Sequence, residues 1–389
     1  MRYYLVGGAV RDTLLGIVPH DVDIVFDGSV EAFLREKPHA RRAGSGVPVF
    51  LADGHEYIPL NGESIMADVM NRDFTINALA LDADGRLYMH PDSMNDLREG
   101  VIRPVSPGIF QQDPLRVFRA ARFAAVFPDF SLHDSTIPHM RACSASGDLA
   151  NIAPERVGQE ITKTLNEAAS ETARIPRPGN FLRLLAASDS LRPWFAELDG
   201  ADSIPAGPER YHGSDSVLEH TARVMDRIAE IYTRNAPADR RDIPLALWMG
   251  LCHDLGKRTT APELLPRHLK HEERGEDAAL SLAARLRLPK RWEQAGRLAA
   301  RLHMKGGLYG TLRPGTRVDL LQTLHAAHIA EPFFTLVAAD SGDDSLPERM
   351  RSGLRTILSI HLPPELRLQG PAAGQKLREL RCQALAFLA

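Results

Sequence analysis

The stretch Leu5-Val6-Gly7-Gly8-Ala9-Val10-Arg11-Asp12, followed by His20-Asp21-Val22-Asp23, limits how this chain can fold more than any other. Tyr3 to Val6 form a short apolar β run, Gly7 and Gly8 break it, and Ala9 to Leu15 reads as a helix opening on that turn. A strand that turns on a glycine pair into a helix makes a phosphate cradle. Bare glycine N–H groups and the positive helix end meet an anion, and Arg11 projects from the first turn towards it. Asp21 and Asp23 stand at strand period two, so both carboxylates point to one side of an extended segment that continues into Ile24-Val25-Phe26. Two carboxylates beside a phosphate cradle suit Mg²⁺, which takes oxygen ligands and shares substrate phosphates.

At 389 residues the chain is too long for one core and implies two to four domains. Its 44% hydrophobic and 25% charged residues are those of an ordinary globular protein, which excludes disordered and fibrous classes. No apolar run reaches membrane-spanning length and the first residues enter a strand without a basic leader, so a cytoplasmic protein with no membrane partner is expected. Cys143, Cys252 and Cys382 are widely spaced, as reduced structural thiols are. The charge of −3 hides an asymmetry: residues 1–100 carry nine basic and sixteen acidic side chains, residues 346–389 seven and three. An acidic head suits divalent metals, and a basic tail suits either a phosphate backbone or plain solvation.

A lone Gly-Gly turn or a lone Asp-x-Asp says little, but their succession is specific. Gly-Gly-Ala-Val-Arg-Asp-x-Leu-Leu-Gly followed by Asp-x-Asp resembles the head domain of the class II bacterial tRNA nucleotidyltransferases, the CCA-adding enzymes and their poly(A) polymerase relatives. The order of elements agrees with an α+β head. A helix is expected over 29–36, strands at 47–51 and 56–58, and a hairpin of 79–81 with 87–89 around Asp84-Gly85. Glu56 reads as an exposed strand glutamate rather than a third metal ligand. Asn71-Arg72-Asp73-Phe74-Thr75-Ile76-Asn77-Ala78-Leu79-Ala80 is similar to the family's second head motif, with Asn71 in place of its first arginine. The resemblance implies that Gly8 and Arg11 bind the triphosphate and Arg72 the sugar and phosphates. Between Glu56 and Arg72 stand only fifteen residues, where the family carries a longer, basic, flexible loop.

From Gln111 the period becomes helical. Asp113, Arg116 and Arg119 fall at three-residue steps on one face, with Leu115, Phe118 and Phe123 facing inward. Asp113 accepts and Arg116 donates hydrogen bonds, so the pair can read a base edge, although the spacing is also that of a surface ion pair. In the family this face is written Glu-Asp-x-x-Arg-x-x-Arg and acts as a protein template choosing CTP or ATP; Gln112 stands at its first acidic position.

A helical region spans 135–170, and breaker-rich segments follow at 175–179 and 199–208, the second taken as a domain boundary. Further on, His220 lies in a helix-like run, His253-Asp254 inside an apolar helical stretch, His268 and His271 after Pro266-Arg267, His303 at the end of a basic helix, and Asp340 after Thr335-Leu336-Val337-Ala338-Ala339. This succession resembles the HD phosphohydrolase superfamily, which implies that His220, His253, Asp254 and Asp340 hold a divalent metal and that Lys257, His268 and His271 bind substrate phosphate or a second metal.

The chain is therefore identified as a class II tRNA nucleotidyltransferase with an HD domain: a nucleotidyltransferase-fold head with a small β-sheet, then all-α neck, HD and tail regions. The expected division is 1–108 head, 109–200 neck and body, 201–345 HD domain and 346–389 tail. The resemblance implies addition of the 3′-terminal CCA to tRNA from CTP and ATP, with Asp21 and Asp23 holding two Mg²⁺ ions. Two narrower activities stay open: CC addition only, from the shortened loop, and HD hydrolysis with a degenerate head.

Overall fold

The computed structural model describes residues 1–19, 22–43, 48–168, 176–234, 240–362 and 370–387. By packing, the chain divides into two compact units, Met1–Asn151 and Ile152–Ala389.

In the first unit β1 (Arg2–Val6) leads through Gly7 into α1 (Gly8–Leu14), and β2 (Asp23–Asp27), α2 (Val30–Glu36), β3 (Arg41–Ala43), β4 (Val49–Ala52) and β5 (His55–Pro59) follow. Then come α3 (Ile65–Met70), the hairpin β6 (Leu79–Asp82) and β7 (Leu87–Met89), α4 (Ser93–Glu99), β8 (Val101–Ile102), α5 (Ile109–Gln112), α6 (Arg116–Val126), β9 (Ser131–Leu132) and α7 (Thr136–Ser146). Seven strands make one sheet in the order β3-β4-β5-β2-β1-β6-β7, and only the β2–β5 pair is parallel. Phe26 on β2 stacks on Phe33 of α2 with ring centroids 4.3 Å apart, and Phe50 and Tyr57 complete that cluster. Ser29 caps α2 by accepting from the Ala32 N–H. Burial of the cluster fixes the β2 register, because a slip of one residue would put Phe26 in water. Alternation then sends Asp23, three residues earlier, to the opposite face.

The hairpin and α2 lie where the sequence puts them, whereas the edge strand β3 and the short parallel pair β8–β9 carry too few residues for periodicity to reveal them. The expected helix through Gln112–Phe123 is interrupted. Asp113 is extended (φ −145, ψ 100), and α6 starts at Arg116 after Pro114, which cannot continue α5 because it lacks an N–H.

The second unit is helical: α8 (Pro154–Glu167), α9 (Asn180–Ala187), α10 (Glu209–His212), α11 (Val217–Arg234), α12 (Ile243–Cys252), α13 (His271–Arg285), α14 (Lys290–Gly307), α15 (Pro314–Ala326), α16 (Ala330–Ser341), α17 (Leu346–Ser359) and α18 (Pro371–Ala386). The fully buried Trp248 of α12 donates its indole N–H to the Trp292 carbonyl of α14. Small residues set the closest approaches. A side-chain carbon on Gly158 would collide with the Leu286 carbonyl, and one on Gly179 with the Ala222 carbonyl. The breaker-rich segment 199–208 is pinned rather than loose. Arg258 Nε donates to the Asp199 carbonyl (2.9 Å), Lys257 Nζ to Ala206 (2.8 Å) and His268 Nε2 to Pro205 (2.8 Å). Cys143 and Cys252 are buried free thiols and Cys382 is half-buried and free; burial pushes the Cys252 thiol well above its ordinary range. Among the described residues no helix is long and apolar enough to cross a membrane.

Candidate functional site

Two constellations carry chemistry, one in each unit. In the first, Gly7 takes a positive φ of 66° and its N–H donates to the Leu79 carbonyl (2.9 Å), so it is spent on the sheet and unavailable to an anion. That corrects the expectation that both glycines offer bare N–H groups. Gly8, Ala9 and Val10, in the first turn of α1, are the residues whose N–H groups have no acceptor within the helix, since the first helical bond runs from the Arg11 N–H to the Gly7 carbonyl. Both glycines instead make room for guanidinium groups. A side-chain carbon on Gly7 would stand 2.8 Å from Arg72 Nη1, and one on Gly8 would stand 3.4 Å from Arg11 Nη2. The turn thus gathers two cations.

Arg11 is buried rather than projecting. Its Nη1 donates to Asn77 Oδ1 (2.7 Å), its Nε to Asp12 Oδ1 (2.8 Å), and its guanidinium lies 4.8 Å from the Phe127 ring centroid. Arg72 donates through Nε and Nη2 to the buried Asp68 (3.1 and 2.9 Å). Asn77 Nδ2 donates onward to Asp73 Oδ1 (3.1 Å), and Asp73 Oδ2 accepts from Arg119 Nε (2.7 Å). Burial would raise the Asp73 carboxyl, but the Arg119 charge and the hydrogen bonds from Asn77 and the Phe74 N–H outweigh it and hold the carboxyl down at about 2. Arg116 Nη2 donates to the Asn71 carbonyl (2.8 Å). Arg11, Asn77, Asp73 and Arg119 therefore form one hydrogen-bonded chain running from the glycine turn to α6.

Asp113 is not on the α6 face with Arg116 and Arg119. Its side chain accepts from the Leu115 N–H (3.2 Å) just ahead of the helix. Asp21 lies outside the described residues. Asp23 opens β2, half-buried, opposite Val6 on one side and Glu56 on the other. Aligned residues of neighbouring strands share a face, so the exposed Glu56 carboxylate stands beside Asp23. A parallel pairing across thirty-three positions was the missing signal. Hard carboxylate oxygens on adjacent strands fit Mg²⁺.

In the second unit, His220 comes from the first turn of α11, His253 caps α12, Asp254 follows in the turn, His271 opens α13, His303 lies in the last turns of α14 and Asp340 in the last turn of α16. The His253-Asp254 pair sits at the helix end and not inside it. The chain must turn there so that Gly256 can press on the His271 carbonyl, where a side-chain carbon would collide. His220 Nε2 is 3.1 Å from Asp340 Oδ1 and 3.4 Å from Asp254 Oδ2; His253 Nε2 is 3.2 Å from Asp254 Oδ2 and 3.7 Å from Asp340 Oδ1. His253 Nδ1 faces the Gly250 carbonyl at 2.7 Å, which keeps the proton on Nδ1 and the lone pair on Nε2. Burial pulls the His253 pKa down, but Asp254 and Asp340 outweigh it and the net shift is upward. Asp254 is held well below the usual carboxylate range: burial opposes this, and His253 and Lys257 overcome it.

Both Asp254 oxygens are buried without a hydrogen bond of good geometry, although Lys257 Nζ is ion-paired 2.7 Å from Oδ2. A buried carboxylate that lacks hydrogen bonds while facing imidazole lone pairs has the donor set and the need of a cation site. His268 does not belong to it. Its Nε2 donates to the Pro205 carbonyl and its Nδ1 accepts from the Thr260 hydroxyl (2.8 Å), so neither nitrogen is left to bind phosphate or metal. His303, named in the succession but given no role there, joins the centre: its Nε2 lies 3.1 Å from His271 Nε2 and 3.5 Å from Asp254 Oδ1.

The model of the Poly A polymerase head domain matches residues 3–47 and that of the HD domain residues 217–328. The chain is 34% identical to a Multifunctional CCA protein of Stenotrophomonas maltophilia over 426 aligned residues, covering 99% of each. It is also 34% identical to that of Methylococcus capsulatus, covering all of this chain and 95% of the relative. Its fold matches the Thermotoga maritima CCA-adding enzyme complexed with tRNA at a TM-score of 0.66, with 19% identity and coverage of 100% and 92%. A CCA-adding enzyme with ATP matches at a TM-score of 0.68, with 20% identity and coverage of 99% and 86%.

Proposed function

We propose, since this chain belongs to the multifunctional CCA protein family, that it adds the 3′-terminal CCA to tRNA from CTP and ATP and hydrolyses phosphate esters at its histidine–aspartate centre. The observation that carries the reading is the end-to-end 34% identity, with the glycine turn, Asp23 and the HD residues all present in one chain.

In the transfer reaction the tRNA 3′-hydroxyl oxygen attacks the α-phosphorus of the nucleotide, the bond to the bridging oxygen breaks and pyrophosphate leaves. Asp21 and Asp23, with Glu56 alongside, would hold Mg²⁺, which when bound lowers the hydroxyl pKa and neutralises the departing pyrophosphate. Arg72 and Arg11, gathered at Gly7 and Gly8, bind the triphosphate and sugar, and the α1 N-terminus adds N–H donors at Gly8. Arg116 and Arg119 on α6, with Asp113 just ahead of the helix, would meet the base, and Asp73 holds the Arg119 guanidinium through its hydrogen bond. The tRNA is held by shape and backbone, with the basic tail contributing. Hydrolysis is assigned to His220, His253, Asp254 and Asp340 around a divalent metal, with the Lys257 ammonium opposite the substrate phosphate. The functional segments are 1–108, 109–200, 201–345 and 346–389, and the protein works in the cytoplasm.

One observation favours a narrower activity. Residues 57–71 form a tight connection: Asn61 N–H donates to Asp68 Oδ1 (3.3 Å), Gly62 has a φ of 110°, and Ser64 caps α3. A segment so tied has little reach to reset a template face from C to A, which favours CC addition. Incubation with tRNA lacking its last three nucleotides and each labelled nucleotide in turn tests both readings. Incorporation of C and then, more slowly, of A is expected; C without A would leave the narrower activity, and no incorporation of either nucleotide would overturn the transferase assignment.

A further inference from the structure

We infer that Asn77 is a positioning residue for base selection: its side-chain amide joins Arg11, at the glycine turn, to Asp73, and through Asp73 it holds the Arg119 guanidinium at the angle from which it meets the base. The inference rests on the transferase reading of the head and adds a residue to it. Asn77 and Asp73 are both buried. Their backbone is tied to the segment 103–105, the Asp73 carbonyl accepting from the Val105 N–H (3.1 Å) and the Thr75 N–H donating to the Arg103 carbonyl (2.9 Å). The pair is thus carried by a fixed piece of chain, as a group that sets the angle of another must be.

The neighbours of the Asn77 amide dictate which way it faces. A guanidinium only donates, so Asn77 Oδ1 faces Arg11 Nη1 (2.7 Å); a carboxylate only accepts, so Nδ2 faces Asp73 Oδ1 (3.1 Å). Turned over, the amide would set N–H against N–H and oxygen against oxygen. Asp73 Oδ1 also accepts from the Phe74 N–H (2.8 Å), and two donors on that oxygen fix the carboxylate plane. Oδ2 is then aimed at Arg119, whose Nε donates to it (2.7 Å) and whose Nη2 lies 2.6 Å away. A planar guanidinium held along its Nε–Nη2 edge presents the rest of its fork in one direction. The Phe123 ring is a wall for both cations, with the Arg11 and Arg119 guanidinium carbons 5.6 and 5.8 Å from its centroid. Without the Asn77 amide, Oδ1 keeps only the Phe74 N–H, the carboxylate is free to turn, and Arg119 turns with it. Arg116 is held separately, by the Asn71 and Ile109 carbonyls (2.8 and 3.3 Å). Loss of Asn77 therefore unsettles one of the two base-facing arginines and leaves the other.

The test is the ratio of kcat/KM for CTP over ATP on tRNA lacking its last three nucleotides, measured on the full chain as wild type, Asn77→Ala, Arg119→Ala and the double variant. A fall of about tenfold in each single variant, with no further fall in the double, supports the inference, because residues acting through one contact cannot lose the same discrimination twice. Losses that multiply in the double variant overturn it and make Asn77 a structural residue of the head. A ratio that falls in Arg119→Ala but not in Asn77→Ala overturns it too, and leaves Arg119 as a reader of the base. A ratio unchanged in Arg119→Ala removes that role, and no incorporation by wild type removes the transferase reading; either takes the inference with it. Should Asn77→Ala fail to fold, Asn77→Asp keeps the volume and the acceptor for Arg11 but offers Asp73 no N–H. The same fall is expected of it, and a wild-type ratio in that variant overturns the inference.

Discussion

The two sites handle buried charge in opposite ways. In the head, each arginine has its anion or carbonyl already: Arg72 has Asp68, Arg119 has Asp73, and Arg11 has Asp12 and Asn77. In the helical unit, both Asp254 oxygens are buried without a hydrogen bond of good geometry, among imidazoles whose Nδ1 atoms are held by backbone carbonyls at His253, His271 and His303. The head's basic groups are thus locked in place before any ligand arrives, at the cost of pairing charges that the substrate must share. The histidine centre instead buries a carboxylate whose nearest positive group is the Lys257 ammonium, 2.7 Å from Oδ2, and surrounds it with four imidazoles. Preorganisation is reached once by pairing charges singly and once by sharing one buried charge among several groups.

The largest effect expected from breaking one side alone is at Asp23. Asp23→Ala should lower nucleotide addition by a factor of about 10³ or more while hydrolysis stays within about twofold, because the carboxylate acts only on the transfer reaction and its unit is separate. Parallel assays of both activities check this, and transfer within tenfold of wild type would sink the assignment. The mirror experiment is Asp254→Asn, which should cut hydrolysis by about 10²-fold or more and leave addition near wild type. Loss of addition as well would mean the centre serves the fold rather than a reaction.

A smaller effect sharpens the head alone. Incorporation of A into tRNA ending in CC should run about tenfold slower than incorporation of C into tRNA lacking all three residues, a difference of about 1.4 kcal/mol in barrier. Equal rates at saturating nucleotide would show that the tight 57–71 segment has no such consequence. The smallest concerns stability. The Asp73 carboxyl is depressed from 3.8 to about 2, so its pairing stabilises the folded head fully above about pH 4 and is lost as pH falls towards 2. Asp73→Asn should cost on the order of 2 kcal/mol at neutral pH, a few degrees in Tm, and should flatten the acid limb of the stability profile. An unchanged acid limb in the variant would remove Asp73 from that role.

What the sequence made legible was local. Gly7, Gly8 and Arg11 lie within five residues, so the strand, turn and helix that carry them could be read from spacing. Partnerships made across the fold were not legible. The parallel pairing that sets Glu56 beside Asp23 depends on a sheet order no local pattern encodes, and the Gly7 N–H is consumed by Leu79, seventy-two residues away. His303 stood in the histidine and aspartate succession without a role, and only the packing of α13 with α14 brings it to His271. His268 shows the converse. The resemblance implied a role in binding phosphate or metal, but the fold engages both its nitrogens, with the Pro205 carbonyl and the Thr260 hydroxyl.

The pinned segment 199–206 determines where this molecule can be severed. A fragment beginning at residue 201 would strip the Asp199 carbonyl from Arg258 and remove α9, whose Arg183 neutralises the buried Asp226 on α11. It would also lose Gly179, whose N–H donates to that same Asp226 and whose bareness admits the Ala222 carbonyl. Asp226 would then be a buried acid with no counter-charge in the middle of the helix that bears His220. The division by packing lies instead at Asn151 and Ile152, and all six candidate ligands of the histidine–aspartate centre fall on its C-terminal side.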